Sequence, residues 1–200
     1  SHMMSKMAAS MCDRHKDLGT MDLTDWYQNI LRARERIRQH VHKTPLDHSP
    51  LLSQAAPGAK VYIKMESEQV TGSFKVRGAF NKLSKLKEEG KGNQEVVTAS
   101  TGNHGLACLL AMERLGMRGR IFIQSNVDQT KADYLRRHGA KIEFHGLDCV
   151  EAETAARKAA QAEQGVYVSP TMTQTLSLGR EQLEWRSMRN CQMQTLYWYQ

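Results

Sequence analysis

Two short segments carry the side chains best suited to chemistry: Thr71-Gly72-Ser73-Phe74-Lys75-Val76-Arg77-Gly78-Ala79 and Ser100-Thr101-Gly102-Asn103-His104-Gly105. In the first, Ser73 can cap a helix running to about Glu89, with Val76, Ala79, Phe80, Leu83 and Leu86 on its apolar face. Lys75 then falls in the first turn, where the positive end of the helix dipole disfavours an ammonium and favours the neutral amine. A neutral amine is the species that attacks an aldehyde to make a Schiff base. On position alone, a solvent-facing lysine is the simpler reading. The second segment joins a strand to a helix, and exposed backbone N–H groups backed by Ser and Thr hydroxyls form a cradle for a carboxylate or phosphate. Alone it is also an ordinary capped turn. It matches neither G-x-G-x-x-G nor G-x-x-x-x-G-K-[ST], which demotes nucleotide binding of those kinds.

The elements that must position these segments follow from hydrophobic period. Trp26, Ile30, Ala33, Ile37 and Val41 recur at helical steps from Thr24 to about His40. Thr44-Pro45 and Ser49-Pro50 turn the chain into extended segments. Val61–Met65 reads as a strand, followed by a polar loop to Gly72. From Glu95 the pattern is regular: strands at 95–99, 120–124, 140–144 and 165–169 alternate with helices at 104–115, 128–138 and 150–163. Such alternation implies βαβ crossovers, hence an α/β domain with a parallel sheet covered by helices on both faces. Gly116, Gly139 and Gly165 sit where left-handed C-caps are wanted.

Composition narrows the classes of function. The 200 residues are 40% apolar with four prolines, a globular chain of one or two domains. No apolar run is long enough for a membrane span or a signal peptide, so a cytoplasmic protein without membrane contact is expected. Ser1, His2 and Met3 read as a tag remnant, with the native chain starting at Met4. Cys12, Cys108, Cys149 and Cys191 are scattered, which predicts free thiols, and the eight histidines show no ligand spacing, so no metal site is expected. The net charge of +7 is interleaved with Glu along helices, which fits a solvated surface better than nucleic-acid binding.

In order and together, the two segments resemble the type II pyridoxal-phosphate fold, specifically the threonine dehydratase and serine racemase family. His42-Lys43-Thr44-Pro45-Leu46, Val61-Tyr62-Ile63-Lys64-Met65-Glu66 and Gly139-Ala140 add to the likeness, which spans about Thr24 to Pro170. The resemblance implies pyridoxal phosphate as cofactor, with Lys75 as its Schiff-base lysine and then the base at the substrate Cα. Phe74 would lie beside the cofactor ring and Asn103 would hydrogen-bond the ring hydroxyl. Ser100, Thr101, Gly102 and His104 would bind the amino-acid carboxylate through hydroxyl and backbone groups, with Asn103 in the same loop. The implied reaction is elimination of water from serine or threonine to a keto acid and ammonia. Racemases of the family place a serine where this chain has Thr101, whose methyl and stiff χ1 favour elimination over racemisation. A β-replacement enzyme of the same fold fits the loop less well. The intact family form is expected to be a homodimer.

After Pro170 the likeness stops, and residues 171–200 have no clear amphipathic period. Codons exist for Thr171–Leu196 such that the same nucleotides, read two bases later, encode NDPDVIAGQGTIGVE and then INEELPNADA, the kind of continuation the family would have. The expectation is a frameshift near codon 171; a splice variant or distinct extension is the rival. Four segments result: a tag remnant and flexible leader at 1–20, an incomplete N-terminal part of the large cofactor domain at 21–94, a small α/β domain at 95–170, and an out-of-frame tail without defined fold at 171–200. The family's glycine-rich phosphate loop and its divalent-cation site would then be missing and this chain inactive. A noncatalytic fragment that associates with a full-length subunit is the alternative of another class. Trp185, Leu196, Tyr197 and Trp198 would be exposed and prone to association.

Overall fold

The computed structural model describes residues 23–170 apart from Pro57, and the leader, the tail with Trp185, Leu196, Tyr197 and Trp198, Cys12 and Cys191 lie outside that range. Helix α1 (Leu23–Ile37) is amphipathic as its period requires, burying Ile30, Ala33 and Ile37. Arg36 on its other side reaches across to Glu88 at 2.9 Å and Asn81 at 2.8 Å. Strand β1 (Leu46–His48) pairs antiparallel with β2 (Tyr62–Lys64). Between them lies a short helix, α2 (Pro50–Ala55), where extended chain was expected. Ser49 accepts the Leu52 N–H at 3.3 Å, and Pro50 occupies the first helical position, where its missing N–H costs nothing. The Ser-Pro pair is thus a helix start here.

Helix α3 (Lys75–Glu88) packs against α4 (Asn103–Leu115), which follows strand β3 (Val96–Ala99). Then come β4 (Gly119–Ile123), α5 (Gln129–Arg137), β5 (Ile142–Phe144), α6 (Cys149–Ala162) and β6 (Val166–Tyr167). The four strands form one parallel sheet in the order β5-β4-β3-β6. Each expected element from 95 to 170 is present within about two residues of its expected ends, the margin usual for element boundaries.

Strand side chains alternate between two cores. Val96, Ile121 and Ile123 face Phe80 and Leu83 of α3, Ala107 and Ala111 of α4, and Leu135 of α5. Val97, Ala99 and Phe122 face Ala156 and Ala160 of α6. The first core draws residues from α1, α3, α4 and the sheet into one continuous body. At the amino end of the strands, buried Arg120 on β4 lies 2.6 Å from Glu143, 2.5 Å from Glu163 and 3.3 Å from Glu95, fastening three strands and the end of α6. Gly116 and Gly139 take the left-handed conformation as expected, with φ of 66° and 82°. After α6 it is Gln164 that does so, with φ 54°. Gly165 has a different job: a Cβ there would lie 2.8 Å from the Glu95 carbonyl oxygen, so only glycine lets β6 approach β3.

Candidate active site

Lys75 is the first residue of α3. Phe74 already has helical backbone angles, so Ser73 sits one residue further out than expected, and its hydroxyl accepts only the Lys75 N–H, at 3.3 Å. The Lys75 side chain is half-buried; its Nζ lies 5.5 Å from the Phe74 ring centroid and donates to the Pro170 carbonyl at 3.5 Å. The amine is therefore carried to the end of β6, beside the carboxyl end of β3.

A buried ion pair holds the approach to Lys75. The Arg77 guanidinium, 1% exposed, donates to both Glu66 oxygens at 2.8 and 2.9 Å and to the His42 carbonyl at 3.0 Å. Thr44 donates to the same carboxylate at 2.5 Å, and Lys64 donates to the Thr44 carbonyl. Gln69 accepts the His42 N–H at 2.7 Å and donates to the His42 carbonyl at 3.1 Å. Burial pushes the Glu66 carboxyl up, but the hydrogen bonds and charges of Arg77, Thr44 and Lys64 outweigh it and hold the group below the usual carboxylate range. Two segments that strengthened the sequence resemblance, His42–Leu46 and Val61–Glu66, thus meet the lysine helix at one polar knot. Sequence reading missed Arg77, although a cation between buried Val76 and Gly78 must find a partner.

The Ser100–Gly105 loop leaves the carboxyl end of β3 and starts α4. Ser100 Oγ accepts the Gly102 N–H at 3.2 Å, and Gly102 is extended at the cap position, with φ −122° and ψ −151°. Gly102 and Asn103 are exposed, Thr101 and Ser100 half-buried. A Cβ added to Gly102 would meet no atom within 4 Å, so the loop backbone is open on that side. No acidic side chain occupies the first turn of α4, so the positive end of its dipole has no counter-charge in that turn. Gly105 is needed for close packing: its Cβ would stand 2.6 Å from the Ser100 carbonyl oxygen.

His104 differs from its neighbours, because its side chain is 4% exposed and turns into the protein. Its Nε2 lies 3.1 Å from Thr98 Oγ1 and 3.4 Å from the Val168 carbonyl. Thr98 itself donates to Val168 O at 2.6 Å. The Cys108 sulfur is 3.5 Å from His104 Nε2; burial pushes that thiol up to about 12, against opposing effects of the Thr98 hydrogen bond and the Lys75 charge. Only the backbone of His104 is placed to serve a ligand at the loop. The place of Thr98 and Cys108 beside this loop is not legible in the sequence, and neither are the Val168 and Pro170 carbonyls, since backbone acceptors carry no residue signature.

The family profile described as pyridoxal-phosphate dependent enzyme matches residues 37–184, a span that runs past Pro170. The chain is 36% identical over 143 residues to an L-threonine ammonia-lyase of Thermotoga maritima, covering 72% of this chain and 35% of that one. Among solved structures, the processed form of threonine deaminase isoform 2 from Solanum lycopersicum superposes with a TM-score of 0.76 at 28% identity, covering 86% of this chain and 47% of the other. Serine racemase from Dictyostelium discoideum gives 0.73 at 26% identity, with 83% and 53% covered. The chain spans less than half the length of the curated relatives it matches.

Proposed function

The chain belongs to the family of pyridoxal-phosphate-dependent enzymes, and we propose that Lys75 and the Ser100–Gly105 loop are its share of a site that eliminates water from serine or threonine. The convergence of the Lys75 amine and of His104 from the loop on the chain just past β6 carries this reading. The residues present suit the cofactor: an amine at a helix start beside the Phe74 ring, and an exposed helix-start loop carrying the Ser100 and Thr101 hydroxyls with no acidic side chain in its first turn. When bound, pyridoxal phosphate supplies an electron sink for the charge left at the substrate Cα. Lys75 would be the residue that holds the cofactor, and its amine, once free, would take the α-proton. Phe74 would flank the ring and Asn103 would donate to its hydroxyl. Ser100, Thr101 and the backbone of Gly102 and His104 hold the carboxylate, which fixes the Cα–H bond toward the lysine. Loss of the β-hydroxyl as water leaves an enamine that hydrolyses to keto acid and ammonia.

Racemisation by the same site is the second reading. It requires an acid on the face opposite Lys75, and Thr101 is the residue whose hydroxyl would have to serve. Its half-buried side chain and branched Cβ favour elimination.

Borohydride reduction after adding pyridoxal phosphate, followed by peptide mass mapping, tests the assignment. The label is expected on Lys75 in preference to the surface lysines, and absent from that peptide in Lys75→Ala. Labelling spread evenly over the lysines would remove Lys75 from its role. Keto-acid release from L-serine and L-threonine is the accompanying readout; because the chain covers less than half of its relatives' length, labelling and not turnover decides the matter.

A further inference from the structure

The buried polar chain beneath the anion-holding loop has a direction. Thr98 Oγ1 and the Val168 carbonyl oxygen are 2.6 Å apart, and a carbonyl carries no proton, so the Thr98 hydrogen must lie between them. Thr98 Oγ1 then faces His104 Nε2, 3.1 Å away, with lone pairs only, and the ring nitrogen must be the donor. That fixes a proton on Nε2. The three partners come from different elements: Thr98 from β3, His104 from the first turn of α4, and Val168 from just beyond β6. Two residues past Val168, the Pro170 carbonyl receives the Lys75 ammonium.

We propose that His104 is a positioning residue that acts through Thr98: its Nε2–H latches the start of α4 to the end of β6, and so sets the carboxylate-holding N–H groups of residues 100–105 at a fixed distance from Lys75. The proposal rests on the reading that this loop receives an amino-acid carboxylate. A latch placed beneath the loop, with all three partners buried, is shielded from competing water, which makes its hydrogen bonds directional constraints on the loop. The neighbouring Gly105, pressed on the Ser100 carbonyl, leaves the loop no slack to compensate if the latch opens.

The test uses the full chain and five forms: wild type, His104→Phe (ring kept, donor lost), His104→Gln (donor kept), Thr98→Val (shape kept, hydroxyl lost) and Thr98→Ser (hydroxyl kept). Imidazole ¹⁵N shifts of the wild type should show His104 protonated on Nε2; a ring protonated on Nδ1 alone overturns the latch. Amide hydrogen exchange should quicken about tenfold at residues 101–106 in His104→Phe and Thr98→Val, the size of one hydrogen bond, and be restored in His104→Gln and Thr98→Ser. A uniform increase across the sheet in all variants, or no local change, overturns the proposal. L-Serine titrated while the loop amides are followed should bind about tenfold more weakly to the two disrupted forms and near normally to the two rescuing ones. If the wild type does not respond to L-serine, the substrate reading fails, and the exchange pattern alone then decides whether His104 holds the loop.

Discussion

The Lys75 ammonium donates to the Pro170 carbonyl at 3.5 Å, joining the first residue of α3 to the chain just past β6 across 95 residues of sequence. That bond aims the amine at the carboxyl end of the sheet, but it is long and the side chain is half-buried, so the fold does not depend on it. Lys75→Met keeps the stem that packs beside Phe74 and removes only the charge. Its thermal unfolding should show a loss of no more than about 1 kcal/mol, while reductive trapping of pyridoxal phosphate disappears from the peptide containing position 75. A variant that fails to fold would mean that Lys75 is chiefly structural.

Arg77 and Glu66 make the opposite prediction. Both are almost fully buried, at 1% and 5% exposure, and each side chain satisfies the other. Removing one leaves a buried charge without its partner, which costs about 3–5 kcal/mol. Arg77→Met should lose stability of that order in urea unfolding. The double variant Arg77→Met with Glu66→Gln should recover part of it, because the stranded carboxylate is gone. A single-variant loss below about 1 kcal/mol would show that the pair contributes no more than a surface ion pair.

The same carboxylate sets a pH dependence. Glu66 has a folded-state pKa below its ordinary value of 4.5, so the native state binds its proton less readily than the unfolded chain. Its stabilisation is complete above about 4.5 and is lost as pH falls through the lower, folded value. Stability should therefore drop on acidification below 4.5, with a shallower drop in Glu66→Gln, which is also less stable at neutral pH. Parallel acid limbs for the two proteins in denaturant titrations would rule Glu66 out as a source of acid sensitivity.

How much of this was legible beforehand depends on the kind of signal. Strands such as Val96–Ala99 and helices such as Asn103–Leu115 write their period into the sequence, so the α/β order could be read directly. The two reactive segments were legible as a pair because each has an uncommon combination of small, hydroxylic and basic residues. Helix α2 is not legible because Ser49-Pro50 reads as a break in sequence, whereas its cap geometry makes it a start. The inward turn of His104 was hidden for another reason: the loop is read as ligand-facing, but α4 rotates its second residue under the sheet end, toward Thr98 and a carbonyl 64 residues away. Long-range backbone acceptors of this type leave no trace in composition or period.

Cys108 and Cys149 offer a direct check on the packing around the candidate site. Cys149 begins α6 and is exposed, whereas Cys108 is fully buried on α4 with its sulfur 3.5 Å from His104 Nε2. The thiolate is the reactive species, and burial pushes the Cys108 thiol up to about 12, so its anion is scarce at neutral pH even before access is considered. Iodoacetamide under native conditions should therefore modify the Cys149 peptide quickly and leave the Cys108 peptide untouched until denaturant is added. His104→Phe or Thr98→Val should speed modification of Cys108 only through local opening of the α4 start, in step with the amide exchange there. Rapid native labelling of Cys108 in the wild type would mean that α4 does not pack on the sheet as described, and the loop at its head would lose its fixed place beside Lys75.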